Sequence, residues 1–169
     1  MGEAKTLPVA ARDGDLNAVR ALLDSGVDIN VKSDYGQTAL NVAAMNGRKN
    51  VVELLLERGA DVNEANYGGS QTALMVACSG GHKDVVDLLL DKGARVNYAS
   101  SDGKTALISA IFGNKKEMVK LLLENGADPN PRYNFLNDFT ALGWARHWAR
   151  ADRCSQEIID LLINAGARN

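Results

Sequence analysis

The sequence has 169 residues, of which 46% are hydrophobic and 24% charged, a composition that supports one globular core and excludes a generally disordered chain. A formal net charge of −2 and a pI near 5.7 exclude the overall basic field that draws proteins to nucleic acid or anionic lipid. No apolar run approaches the roughly 20 residues of a membrane span, so we expect no membrane contact. The charged opening stretch MGEAKTLPVAARDGD predicts neither a signal peptide nor a membrane anchor.

The few cysteine and histidine residues argue against metal binding and catalysis. Two cysteines and no Asn-x-Ser/Thr sequon indicate a reducing compartment, cytoplasmic or, in a eukaryote, nuclear. His147 and Cys154 lack the further ligands that a zinc site needs. Cys78 is predicted to be a small core residue rather than a nucleophile, and His82 to be structural. We therefore expect no metal, no cofactor and no enzymatic activity.

Two short phrases recur along the chain in step with each other. The first begins Thr-Ala-Leu, at steps of 34, 33 and 35 residues, and starts at Thr38, Thr72, Thr105 and Thr140. The second closes a leucine-rich stretch with a glycine, and these glycines are Gly26, Gly59, Gly93, Gly126 and Gly166. Such a period is typical of repeat architectures. Because the first repeat lacks the Thr-Ala-Leu phrase, it is predicted to be a terminal cap.

Each repeat is predicted to contain a turn and two helices. In the turn sequence SDYGQT the glycine supplies backbone freedom, and Thr38 lies where the N-cap of the first helix belongs. Gly47, Gly81 and Asn114 suit the left-handed conformation that ends such a helix. The stretch NVVELLLE then begins a second helix with one apolar side, which Gly59 ends.

The predicted fold is an all-α solenoid, formed by a single domain over residues 1–169. A single unit cannot bury its own leucines, so the units must stack. Leu55, Leu89 and Leu122 recur at one position of the second helices and are expected to be buried between repeats. The approximate repeats are 1–32, 33–65, 66–99, 100–132 and 133–169.

These phrases resemble the ankyrin repeat, whose Thr-Pro-Leu-His-x-Ala motif and period they follow over essentially the whole chain. Two departures are consistent. The motif's proline is replaced by Ala39, Ala73, Ala106 and Ala141. Its histidine is replaced by Asn41, Met75, Ile108 and Gly143. Alanine is a good helix former, so the fold is unaffected, but the family's Thr–His hydrogen bond must be absent or replaced.

The resemblance implies a module that binds a partner protein through a concave face of turns and first helices. In keeping with this, all nine aromatic residues lie in predicted turns or first helices and none in a second helix. Trp144 is expected to pack inside the stack, whereas Tyr35, Phe112 and Trp148 are expected to be exposed, since large aromatic side chains dominate binding hot spots. The candidate partner-binding residues are Lys32, Asp34, Tyr35, Gln37, Met45, Asn46, Tyr67, Ser79, Asp102, Lys104, Phe112, Arg132, Tyr133, Phe139 and Trp148.

The last repeat departs from the pattern through insertions in its turn and after its first helix. The second insertion brings Arg146, Arg150 and Arg153 close to Trp148 in the sequence. This cluster supports an alternative function, the binding of nucleic acid or an acidic ligand through phosphate contacts and stacking. The apolar positions Ile158 and Leu162 predict a monomer if the lengthened segment covers them, and self-association through the last repeat if it does not.

Overall fold

The computed structural model describes residues 6–66, 70–134, 139–151 and 153–168, and the regular structure within them is almost entirely helical. Ten helices occur there in five consecutive pairs. The helices are α1 Leu7–Asp13, α2 Leu16–Asp24, α3 Ala39–Met45, α4 Lys49–Glu57, α5 Ala73–Gly80, α6 Lys83–Asp91, α7 Ala106–Phe112, α8 Lys116–Glu124, α9 Ala141–Ala149 and α10 Gln156–Asn164. Two short antiparallel strands, β1 Arg132–Tyr133 and β2 Phe139–Thr140, precede α9.

The recurring threonines cap the first helices, as the sequence predicts. The hydroxyl oxygens of Thr38, Thr72, Thr105 and Thr140 each accept a hydrogen bond from the backbone N–H three residues on. In α3 the Thr38 hydroxyl also donates to Oδ1 of Asn41 over 2.8 Å, and both residues are buried. Asn41 therefore replaces the histidine partner of the motif in this repeat.

The first helices end as expected. Gly81, at φ 80°, follows α5 in the left-handed conformation, and Asn114, at φ 50°, takes up the same conformation after α7. The backbone N–H of His82 then returns to the carbonyl of Ala77, and that of Lys115 returns to Ala110. These turns are short enough for the second helix to begin at once against the first.

The ten helices form two layers. The first helices α1, α3, α5, α7 and α9 contact one another in sequence, and the second helices form the other layer, with contacts from α2 to α4, from α4 to α6 and from α8 to α10. Residues 39–44, 73–78 and 106–111 are buried throughout, because each inner first helix is surrounded by neighbours. The second helices bury only one side, on which Leu55, Leu89 and Leu122 expose no surface. The stacked all-α solenoid is thus confirmed, and the repeat boundaries stay a prediction.

Asparagines near the ends of the second, third and fourth repeats link successive turns. Oδ1 of Asn97 accepts from the backbone N–H of Asp128 over 2.8 Å, and its Nδ2 donates to the carbonyl of Gly126 over 3.0 Å. Asn63 and Asn130 make the equivalent pairs of bonds to the repeats that follow them. Because these bonds recur in three successive repeats, they hold those turns in register along the stack.

The last repeat covers its own apolar face. Helix α9 has nine residues where α7 has seven, and the segment after it returns to the stack through the bond from the Ser155 N–H to Oδ1 of Asn114. Ile158 and Leu162 expose no surface, and the oligomeric state stays a prediction. Ile163 remains 46% exposed because no further repeat packs against it in the described residues.

Candidate partner-binding surface

Tyr35 lies at the tip of the turn that precedes α3. Gly36, at φ 73°, donates its N–H to the carbonyl of Ser33 over 2.7 Å, and Ser33 donates in turn to Gln37 over 2.9 Å. This tight turn holds the tyrosine side chain away from the stack, with 87% of its surface exposed. Its exposure agrees with the sequence-based expectation.

A groove of about 340 Å³ separates this turn from α1. Its lining is formed by Thr6, Pro8, Val9, Arg12, Val31, Lys32, Ser33, Asp34, Tyr35, Gln37 and Val42. Apolar side chains of α1 and α3 and the charged side chains of Arg12, Lys32 and Asp34 all contribute to the lining. The groove lies at the low end of the size range of small-molecule pockets, and it suits one or two protein side chains.

Several candidate residues near this groove also serve the stack itself. Nζ of Lys32 lies 2.8 Å from Oε1 of Glu64 and donates to the carbonyl of Ala65 over 3.2 Å, so it joins two successive turns. Nδ2 of Asn46 donates to the carbonyl of Val42 within its own helix over 2.8 Å. Met45 and Ser79, which end their first helices, are exposed. Tyr67 lies outside the described residues.

Aromatic side chains gather at the other end of the surface. The ring of Phe112 makes edge contacts with Tyr133, Trp144 and Trp148 at centroid distances of 5.6, 5.2 and 5.8 Å. Nε1 of Trp144 donates to the carbonyl of Tyr133 over 3.4 Å. The indole N–H of Trp148 is buried and has no hydrogen-bond partner among the described residues, at a cost to stability. The cluster thus joins the last two repeats by packing.

Two of the three predicted exposures are wrong in degree, and one candidate binding residue is buried. Phe112 and Trp148 are half-buried rather than exposed, because they pack on each other across the two repeats. Tyr133 is only 5% exposed, since its ring lies against Phe112 and Trp144. Trp144 is buried at 3% exposure, as expected. The aromatic residues therefore do not form a uniformly exposed arc along the described surface.

Cations lie over this aromatic cluster. Nζ of Lys104 is 5.9 Å from the centroid of the Phe112 ring, and Cζ of Arg153 is 5.2 Å from that of Trp148. Asp102, beside Lys104, accepts from the Ser100 hydroxyl and from the Lys104 N–H, and the Ser100 bond is the main cause that lowers the pKa of its carboxyl. Arg132 is exposed, and the side chain of Phe139 lies outside the described residues.

No constellation suited to catalysis appears in the described part of the chain. Cys78 is fully buried, and burial raises the pKa of its thiol to about 12, so it cannot act as a thiolate near neutral pH. Nε2 of His82 lies 3.0 Å from the carbonyl oxygen of Met45, as suits a structural residue. Within the described ranges, no group of three or more His, Cys, Asp or Glu side chains could hold a metal ion.

The groove at α1 is the feature that sequence reasoning missed. The first repeat lacks the Thr-Ala-Leu phrase, so its residues were not aligned with later repeats. Val9 and Arg12 stand 33 residues before Val42 and Met45, which is the period of the array. Extending that period toward the start of the chain would have placed both residues on the same surface as Met45.

Two layers of short helices, capped turns and a period of 33 or 34 residues define a helical repeat protein. The family described as ankyrin repeats (3 copies) matches residues 4–66, 64–133 and 101–169, so the chain belongs to the ankyrin repeat family. Ankyrin repeats are generally protein–protein interaction modules and are typically non-enzymatic. A comparison with curated proteins found no match. Among the helices described, none has the length and apolar character to span a membrane.

Proposed function

We propose that this chain is a non-enzymatic module that binds a partner protein through its turns and first helices. The observation that carries this proposal is the groove beside Tyr35, which this 87% exposed aromatic side chain lines together with apolar side chains of α1 and α3. An aromatic side chain exposed to that degree contributes little to folding, and aromatic residues are enriched among binding hot spots. The stack would serve as a rigid platform that occupies, inhibits or recruits the partner.

The surface proposed for binding runs from this groove toward the aromatic cluster. Asp34, Tyr35 and Gln37 form its first turn, and Met45 and Ser79 continue it along the ends of the first helices. Lys104, Phe112 and Trp148 lie at its far end. Tyr133 is left out because it is buried, and its role is to support the cluster.

Affinity capture with substituted chains tests the proposal. The wild-type chain, Tyr35→Ala, and a control with Glu53→Ala and Glu57→Ala on the exposed side of α4 would each be incubated with extract of the source cell. We expect a protein held by the wild type and the control to bind Tyr35→Ala more weakly by about 2 kcal/mol, the hot-spot threshold. If the control loses the protein and Tyr35→Ala keeps it, the partner binds the second helices instead.

The contact of Arg153 with Trp148 favours a second candidate, the binding of nucleic acid or an acidic ligand at the last repeat. Arginine over an aromatic ring is a feature of single-strand binding surfaces. A net charge of −2 opposes this function for the whole molecule. Titration with a labelled oligonucleotide at low and high salt tests it, since phosphate contacts would make the affinity fall steeply with salt.

A further inference from the structure

Four side chains of the last two repeats form a strip in which cations flank two aromatic rings. Lys104 lies over Phe112, Phe112 contacts Trp148, and Arg153 lies over Trp148. The consecutive distances of 5.9, 5.8 and 5.2 Å place the two cations no more than about 17 Å apart, the span of about five extended residues. We call these four residues the cation–aromatic strip.

Both cations are accessible to an acidic group. The carboxylate of neighbouring Asp102 accepts from the Ser100 hydroxyl and the Lys104 backbone N–H, and its charge also acts on the Lys104 ammonium. Burial nevertheless lowers the pKa of Lys104 more than Asp102 raises it, so a further anion would offset the remaining desolvation. Arg153 is exposed, and it keeps one side of its guanidinium for a ligand while the other lies on Trp148.

The charge around the strip is opposite to that of the whole chain. Residues 132–153 contain four arginines and two aspartates, a net charge of +2 in a protein whose net charge is −2. An acidic segment is therefore attracted to this stretch more than to the rest of the chain, whose net charge is −4 (−2 minus +2). Such a difference favours one orientation of a partner along the surface.

The arrangement suits a peptide better than a nucleic acid. Arg153 already covers Trp148 and Lys104 already approaches Phe112, so the ring faces on which bases would stack are partly occupied. Nucleic-acid affinity also depends on several phosphate contacts, whereas the strip offers two cations. The half-buried rings between the two cations instead suit a peptide in which an apolar residue lies between two acidic residues.

Resting on the proposed function, we propose that the cation–aromatic strip binds an acidic segment of the partner protein. Lys104 and Arg153 each take a carboxylate, and the two carboxylates lie no more than about five residues apart in an extended segment. An apolar side chain between them lies against Phe112 and Trp148. The strip thus sets the register and direction of a partner that the Tyr35 groove anchors at the other end.

Selection from a displayed library of random dodecapeptides on the immobilised full chain tests this proposal. Selected peptides would be measured against the wild type, against Lys104→Glu with Arg153→Glu, and against a control with the same change in charge, Arg20→Glu with Lys49→Glu. Both control residues are exposed, and they lie on the second helices α2 and α4. We expect acidic peptides to dominate, to bind the double variant about tenfold more weakly and to bind the control unchanged.

Circular dichroism of both double variants confirms that they fold, and Arg153→Gln provides a milder change at the same site. Selected peptides without an acidic bias, or equal binding to all variants, would overturn the inference while leaving the proposed function standing. If no selected peptide binds Tyr35→Ala or the strip variant more weakly than the wild type, both the proposed function and this inference would be contradicted. If the wild type binds an oligothymidylate more tightly than any selected peptide, and the strip variant does not bind it, the ligand of the strip is a nucleic acid rather than a peptide.

Discussion

At the scale of single residues, Leu89 illustrates how the centre of the stack is packed. It lies on α6, which packs against α4 on one side and belongs to the middle repeat of the array. The side chain exposes no surface, so every methyl group contacts protein. Its removal would leave a cavity that rigid neighbouring helices cannot fill.

We predict that Leu89→Ala lowers the free energy of unfolding by about 2–5 kcal/mol, through lost burial and the cavity that remains. Urea denaturation of the wild type and the variant measures the difference. Arg20→Ala, at an exposed position of α2, serves as a control and should change stability by less than about 0.5 kcal/mol. A loss below about 1 kcal/mol for Leu89→Ala would mean that the central layer is less tightly packed than the structure shows.

Cys78 makes stability depend on pH above neutrality. Burial raises the pKa of its thiol from about 9 to about 12 in the folded chain. Between those two pKa values the thiol is ionised in the unfolded chain and protonated in the folded chain. The contribution of Cys78 to stability is therefore fully present below about pH 9 and is lost as the pH rises. The slope contributed by this one group is at most about 1.4 kcal/mol per pH unit.

Urea denaturation of the wild type and Cys78→Ala over this range tests that prediction. The wild type should lose stability more steeply than Cys78→Ala between about pH 9 and pH 10. Below about pH 8 the difference between the two proteins should be constant, since the thiol is protonated in both states. Parallel curves across the whole range would show that the thiol ionises without unfolding.

At the scale of elements, repeated side-chain hydrogen bonds join the turns of successive repeats. Asn97 bridges the turn after α6 to the turn after α8, at 2.8 Å through its oxygen and 3.0 Å through its nitrogen. The asparagine ladder keeps the projecting turns aligned, and the proposed binding surface is built on those turns.

We predict that Asn97→Ala lowers the free energy of unfolding by about 1 kcal/mol, the net value of neutral hydrogen bonds at an exposed site. It should also speed amide exchange at Asp128, whose N–H the side chain accepts. Asn50→Ala, at an exposed position of α4, is the matched control and should leave both measurements unchanged. Equal effects from the two substitutions would show that the asparagine ladder does not contribute to stability.

The ends of the stack decide how the whole molecule behaves in solution. Ile158 and Leu162 are covered by α8 and α9, and Arg146 is exposed where the inner repeats bury Ala44, Cys78 and Ile111. A polar side chain at that position discourages a further repeat from stacking. Ile163 alone leaves a single exposed apolar side chain there, which is common on monomeric proteins.

We therefore predict that the chain is monomeric at high concentration in sedimentation equilibrium. Ile163→Asp should leave the sedimentation unchanged, because the residue takes part in no contact between molecules. Helix α10 should exchange its amide hydrogens faster than α6, since it ends the described stack and Ile163 on it is 46% exposed. A dimer that Ile163→Asp dissociates would place an interface at the C-terminal end.

Local sequence determined most of the helices and their caps. Thr38, Thr72 and Thr105 could be identified as N-caps from their place before an apolar stretch, because capping depends on residues within one turn of the helix. Leu55, Leu89 and Leu122 could be assigned to the core for a similar reason, since the same pattern recurs in every repeat and stacking alone covers it.

Only the tertiary structure decided which residues of the binding surface face solvent. Tyr35 and Tyr133 both lie in turn segments, yet one is 87% exposed and the other 5%. The difference arises from Phe112 and Trp144, which approach Tyr133 from two repeats, and no such pair surrounds Tyr35. The sequence by itself determined the period, the caps and the stacked layers, because these depend on neighbours along the chain. Exposure depends on contacts between repeats, and those are set by the packed stack.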